Sequence, residues 1–198
     1  MEETEGPMSA FSPNTADAHS TSSKNGWSTR RLAITAFFCA LSFVMTFIKI
    51  PIFPPAPYLT FDPSGIVSFV AAYVFGPAMG VLVCVITWVV RTLFSFNPYG
   101  HIMAILATVT LIVPAVLVYR RSPDTKGLIG GMVLGTVISV AACVVGNIII
   151  TPLYTSASVS DVIAMIVPVL IPFNLLKAVI SCIVTALVRK PVNGAIGS

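Results

Sequence analysis

Charge is what this sequence has least of. Asp, Glu, Lys and Arg together make up 9% of the 198 residues, while 56% are hydrophobic and the mean hydropathy is +0.95. Soluble domains carry roughly 25% charged residues, so water cannot be the solvent for most of this surface. Acids are the scarcest group. After Glu2, Glu3, Glu5 and Asp17, the chain holds only Asp62, Asp124 and Asp161, each at the end of an apolar segment. Such a set provides no carboxylate pair for general acid–base work. Also missing are a Gly-x-x-x-x-Gly-Lys-Ser/Thr loop, a Gly-x-Ser-x-Gly elbow and a His-Glu-x-x-His pair, which removes nucleotide hydrolysis and the familiar hydrolase chemistries. The chain does not read as an enzyme. Its cysteines, Cys39, Cys84, Cys143 and Cys182, sit in apolar segments without metal-ligand spacing and are expected to pack as small hydrophobes, with no metal site.

The net charge of +4 and pI of 9.0 come from cations that form no dense basic face and accompany no nucleic-acid motif. They stand beside apolar runs, as topology signals do. The expected partner surface is the lipid bilayer, not nucleic acid.

Six apolar segments are present, at 31–50, 62–75, 77–96, 101–119, 127–151 and 162–188. A helix rises about 1.5 Å per residue, so about 20 residues cross the hydrocarbon. A membrane-spanning segment must satisfy its own backbone, and these runs lack the alternation of barrel strands. The expectation is an all-α integral membrane protein, a six-transmembrane-helix bundle with a short second helix, too short to span upright. Pro51, Pro54, Pro55 and Pro57, then Gly76-Pro77, Asn97-Pro98 and Ser122-Pro123, mark the breaks. Residues 1–29, rich in Ser, Thr, Asn and Pro, read as a disordered tail, 30–190 as one membrane domain and 191–198 as a C-terminal tail.

Orientation follows from cations near the segment ends. With both termini cytoplasmic, Arg30, Arg31, Arg120, Arg121, Lys126, Arg189 and Lys190 all fall inside. The outer connections are then 51–61, 95–100 and 152–161. The first carries Phe53, Tyr58 and Phe61, aromatics suited either to the headgroup level or to covering a ligand. Asp62 and Asp161 are placed to cap helix N-termini, Arg91 to snorkel, and His101 to anchor at the interface.

Small residues recur at four-residue spacing in 36–40 (Ala36, Ala40), 76–80 (Gly76, Gly80) and across Gly127, Gly131 and Gly135. Each stripe lets another backbone approach closely, within the chain or on a second protein. The most informative residues are polar groups deep in apolar segments: Asn147, Asn174 and Lys177. Burying an ionisable group there costs at least about 2.5 kcal/mol, so such residues normally face an interior or a cavity. Asn174 and Lys177 share a helix face, and Pro172 with Phe173 suggests a kink with an aromatic wall beside them.

The stretch 59–66, Leu-Thr-Phe-Asp-Pro-Ser-Gly-Ile, followed by 71–80, Ala-Ala-Tyr-Val-Phe-Gly-Pro-Ala-Met-Gly, resembles the second-helix region of S components, the substrate-binding subunits of energy-coupling factor (ECF) vitamin transporters. Asn-Ile-Ile-Ile-Thr-Pro-Leu-Tyr at 147–154 and Pro-Phe-Asn-Leu-Leu-Lys at 172–177 are similar to the riboflavin-specific branch. Gly65, and Trp88 through Arg91, depart from the usual pattern. The resemblance implies six helices holding a vitamin near the outer face under the loop after the first helix. It also implies Asn147, Asn174 and Lys177 as ligand contacts, and Ala36 and Ala40 as the contact with a transmembrane coupling subunit that works with two ATPases. The implied setting is the cell membrane, with riboflavin as cargo and no cofactor. The residue chemistry agrees. A flavin is flat, uncharged and edged by carbonyls and an N–H, which amides and an ammonium can pair, while Phe53, Tyr58, Phe61 and Phe173 could cover its faces. The alternatives are the same architecture for another vitamin or precursor, and a non-transporting scaffold whose polar residues only lock helices.

Overall fold

The computed structural model describes residues 29–54, 59–156 and 158–196. The helices are α1 (Thr29–Met45), α2 (Ser64–Phe75), α3 (Pro77–Phe94), α4 (Pro98–Arg121), α5 (Thr125–Tyr154), α6 (Val159–Met165) and α7 (Ile171–Ile196). A π-helical turn, Ile166–Leu170, joins α6 to α7, so the two form one continuous element and each of the six expected segments finds its helix. Among the described residues, four stretches are long and apolar enough to cross a membrane: Pro77–Phe94, Pro98–Arg121, Thr125–Tyr154 and Val159–Val192. The 17 residues of α1 reach about 25 Å and the 12 of α2 about 18 Å at the helical rise. The shortness of α2 is compensated by its neighbours, since α1, α3 and α7 all pack on it.

Helix starts are chemically marked. Asn97 caps α4 by accepting from the Gly100 N–H at 3.1 Å, with Pro98 in the first turn, and Asp124 caps α5 by accepting from the Gly127 N–H at 2.6 Å. The expected cap of Asp161 is indirect. Ser158 is the N-cap of α6, and Asp161 closes a capping box by accepting from the Ser158 N–H at 2.8 Å. Asp62 is not the N-cap of α2 either, because Pro63 holds that position; its Oδ1 accepts from the Ser64 N–H at 3.3 Å and from the Ser64 hydroxyl.

Several ends differ from the sequence expectation. α1 stops at Met45, where the Thr46 hydroxyl donates to the Phe43 carbonyl at 2.7 Å and tightens the last turn. α5 continues through Pro152 to Tyr154, and α7 continues through Pro191 to Ile196, into the segment expected to be a tail. Just before Pro172, where a kink is expected, a π-helical turn stands at Ile166–Leu170 around Pro168. Proline lacks an N–H and its ring crowds the carbonyl four residues back, and a widened π turn relieves both. Of the expected tail, Thr29 opens α1 and the rest lies outside the described residues.

α4 and α5 form the most extensive helix pair. Glycine makes it possible: a Cβ on Gly131 would stand 2.4 Å from the Ala115 carbonyl oxygen, and one on Gly135 2.5 Å from that of Leu111. Likewise a Cβ on Gly80 would meet Ala72 on α2 at 2.4 Å. These two stripes are therefore used inside the bundle. Cys84, Cys143 and Cys182 are buried free thiols, as expected of packing residues. The core of Phe69, Ile112, Ala115 and Val116 fills the half of the bundle nearer the start of α1 and the end of α7. There the Arg189 guanidinium donates to the Tyr119 hydroxyl at 3.1 Å and lies 5.8 Å from the Tyr73 ring, tying α7 to α4 and α2.

Candidate ligand-binding site

At the opposite end, the C-terminal ends of α1, α3 and α5 meet the N-terminal end of α4 and the start of α2. A cavity of about 260 Å³ opens between them. Asn147, Phe173, Asn174 and Lys177 all line it, so the fifth and sixth expected segments bring the expected polar residues together. A chamber of about 20 Å³, room for about one water, continues beneath and shares Asp62, Ala107, Asn174 and Lys177 with the cavity. Its base includes Leu111 and Ala178, which also belong to the packed core.

The amides are partly satisfied by their own helices. Asn147 Nδ2 donates to the Cys143 carbonyl at 2.8 Å, and its Oδ1 accepts from the Thr151 hydroxyl at 3.2 Å. Asn174 Nδ2 donates to the Leu170 carbonyl at 2.8 Å, within the π turn. Each amide thereby fixes its rotamer and keeps a second N–H, and Asn174 keeps its Oδ1 as well. The Lys177 ammonium is 3.9 Å from Asp62 Oδ2, with the two side chains 20% and 14% exposed. The pair leaves the floor without net charge, while the ammonium retains donors beyond the one facing Asp62.

Of the expected aromatic cover, Phe53 reaches Phe173 edge-on with ring centroids 6.5 Å apart. Phe61 turns inward: it is 4% exposed, pairs with Ile50 through two backbone hydrogen bonds of 2.8 Å, and does not line the cavity. Tyr58 lies outside the described residues. Ala36 and Ala40 are exposed on α1, away from the cavity.

Three lining residues were expected elsewhere. Asp62 was read as a cap at a segment end with no acid deep in the bundle; because α2 starts inside the bundle, that segment end is interior. A lysine in an apolar helix needs a counter-charge, and this was the signal that pointed to it. Arg91, expected to snorkel at the outer end of its helix, places its guanidinium 4.2 Å over the Phe47 ring at the cavity wall. His101 was expected to anchor at the interface, but it is 8% exposed, packs on Trp88 with centroids 5.1 Å apart, and places Nδ1 2.8 Å from Thr92 Oγ1. Beside it, Tyr99 stacks on Tyr154, a lining residue, at 5.2 Å. The arrangement can hold an uncharged guest: hydrogen-bonding groups at a neutral floor, aromatic and aliphatic walls, and a polar rim.

A family model described as ECF transporter, substrate-specific component, matches residues 30–189. The chain is 34% identical over 127 residues to the riboflavin transporter RibU of Staphylococcus aureus (strain TCH60), covering 63% of this chain and 67% of that protein. It is 25% identical over 171 residues to the riboflavin transporter FmnP of Bacillus subtilis (strain 168), covering 80% and 90%. Among solved structures, the S component of a bacterial ECF transporter aligns with a TM-score of 0.73 at 31% identity, over 85% of this chain and 98% of that one.

Proposed function

Because the chain belongs to the substrate-specific components of ECF transporters, we propose that it is the membrane subunit that captures riboflavin outside the cell for ATP-driven uptake by partner subunits. A member of this family is a transport component and not an enzyme. The observation that carries the reading is the convergence of Asn147, Asn174 and Lys177 on one cavity whose floor charge is cancelled by Asp62. A flavin's carbonyl, N–H, carbonyl edge asks for that mixture of donors and an acceptor, and its apolar ring suits walls such as Phe173 and Trp88. The riboflavin transporters to which the chain is similar support the same cargo.

The side of the membrane follows from charge. Arg120 and Arg121 end α4, Lys126 begins α5, and Arg189 and Lys190 lie near the end of α7, at the end of the bundle opposite the cavity. Cations of this kind stay cytoplasmic, which directs both termini inward and the cavity outward. Energy comes from a transmembrane coupling subunit and two ATPases, and the exposed Ala36 and Ala40 on α1 offer that subunit a surface of close approach. The test is a titration of the purified, flavin-free chain with riboflavin. Saturable quenching of flavin fluorescence at one site per chain, undiminished by thiamine or biotin, is the expected result. Unchanged flavin fluorescence would overturn the assignment, and preferential displacement by another vitamin would replace the cargo.

A further inference from the structure

The rim of the cavity holds a residue that the floor chemistry does not use, His101. Thr92 has one hydroxyl proton, and its Oγ1 stands 2.8 Å from the Trp88 carbonyl oxygen, one helical turn back. Two oxygens at that distance need the proton between them, so it is spent there. The second contact of the same hydroxyl, 2.8 Å to His101 Nδ1, must then run the other way, with Nδ1–H donating to Thr92 Oγ1. In the neutral ring this fixes the tautomer and leaves Nε2 bare, an acceptor. Nε2 makes no hydrogen bond among the described residues, and the ring packs against Trp88 on the cavity wall with the two planes tilted by 36°. The charged groups around this rim, Arg91 and Lys49, only donate, and the Asn97 Oδ1 has one lone pair committed to the Gly100 N–H at 3.1 Å.

We propose that His101 is a specificity-determining residue, whose Nε2 accepts a hydrogen bond from a hydroxyl on the sugar-alcohol chain of the ligand. The inference rests on the riboflavin reading. With the ring's polar edge on Asn147, Asn174 and Lys177, the hydroxylated chain is what remains for the rim. That rim supplies Thr46, Thr60, Ser95 and Asn97 beside His101. A rim that sets the donors of Lys49 and Arg91 beside the pre-oriented acceptor of His101 distinguishes a polyol from a methyl group, because hydroxyls are donors and acceptors at once.

The test compares H101N with H101Q, using riboflavin and lumiflavin, which has the same ring with a methyl in place of the sugar-alcohol chain. Asparagine places its amide where Nδ1 stood, keeping the bond to Thr92 and deleting the Nε2 acceptor; glutamine reaches the Nε2 position and gives up Nδ1. By fluorescence titration, H101N should bind riboflavin about tenfold more weakly or worse, with lumiflavin affinity unchanged, while H101Q stays within about threefold of wild type for riboflavin. Unchanged lumiflavin binding also reports an intact fold. The reverse ranking, with H101Q the weaker, or equal losses for both ligands, would overturn the role and leave His101 a packing residue. A wild-type chain that binds neither flavin would instead remove the riboflavin reading, and this one with it.

Discussion

Lys177 is the residue on which the site depends, because an ammonium in the middle of an apolar bundle persists only when something balances it. Asp62 does so at 3.9 Å, and removing either partner strands the other. Stranding a mostly buried charge costs about 3 kcal/mol or more, whereas replacing both partners costs far less. Lys177→Leu is therefore expected to lower the thermal midpoint in detergent and weaken riboflavin at least about tenfold. Asp62→Asn combined with Lys177→Met should recover the midpoint but not the affinity. Equal destabilisation by the single and double variants would show that the pair is not coupled. At this scale the sequence was readable where a polar residue interrupts a long apolar run, as Asn147, Asn174 and Lys177 do. Asp62 and His101 were not, for one shared reason: each begins an apolar segment, and a segment end reads as membrane surface. The cavity turns that end of the bundle into interior, which only the packing of α2 and α4 against their neighbours reveals.

Among the elements, the α4 and α5 pair sets how far apart the cavity walls stand. Gly131 and Gly135 bring α5 against the carbonyls of Ala115 and Leu111, with no room for a methyl group. Gly131→Ala must separate the helices or shift one, with an expected cost of about 1–3 kcal/mol despite alanine's better helix propensity, read as a fall in thermal midpoint. Gly130→Ala, where a Cβ would meet nothing within 4 Å, is the control and should be neutral or slightly stabilising. Apolar length located every helix, and Asn97 and Asp124 marked two starts chemically. The π turn at Pro168 was not foreseen, since Pro168 and Pro172 each break the ladder and only the surrounding packing decides which is absorbed by such a turn. Helix ends drifted for a similar reason: Pro152 and Pro191 lie inside helices that continue around them.

On the scale of the whole molecule, three stripes of small residues looked alike in sequence and have different uses. Two are consumed inside the bundle, by Gly80 against α2 and by Gly131 and Gly135 against α4. The third, Ala36 and Ala40, remains exposed among Leu32, Phe37 and Val44. Spacing could not tell these uses apart, because it defines a face and not what lies against it. Ala36→Trp should leave riboflavin affinity of the isolated chain unchanged, since α1 is exposed there and away from the cavity, yet abolish uptake by cells that supply the coupling subunit and ATPases. Normal uptake by that variant would remove α1 as the docking face. The overall class was legible in two steps: scarcity of charge gave the membrane, and long apolar runs without strand alternation gave the helices.

The chamber beneath the cavity stops at Leu111 and Ala178, which are part of the core. Among the described residues that dead end closes the chamber within the bundle, so an unengaged copy is built as a plug rather than a pore. A cell can then stock its membrane with spare receptors, ready for a scarce nutrient, at no cost to the ion gradients across it.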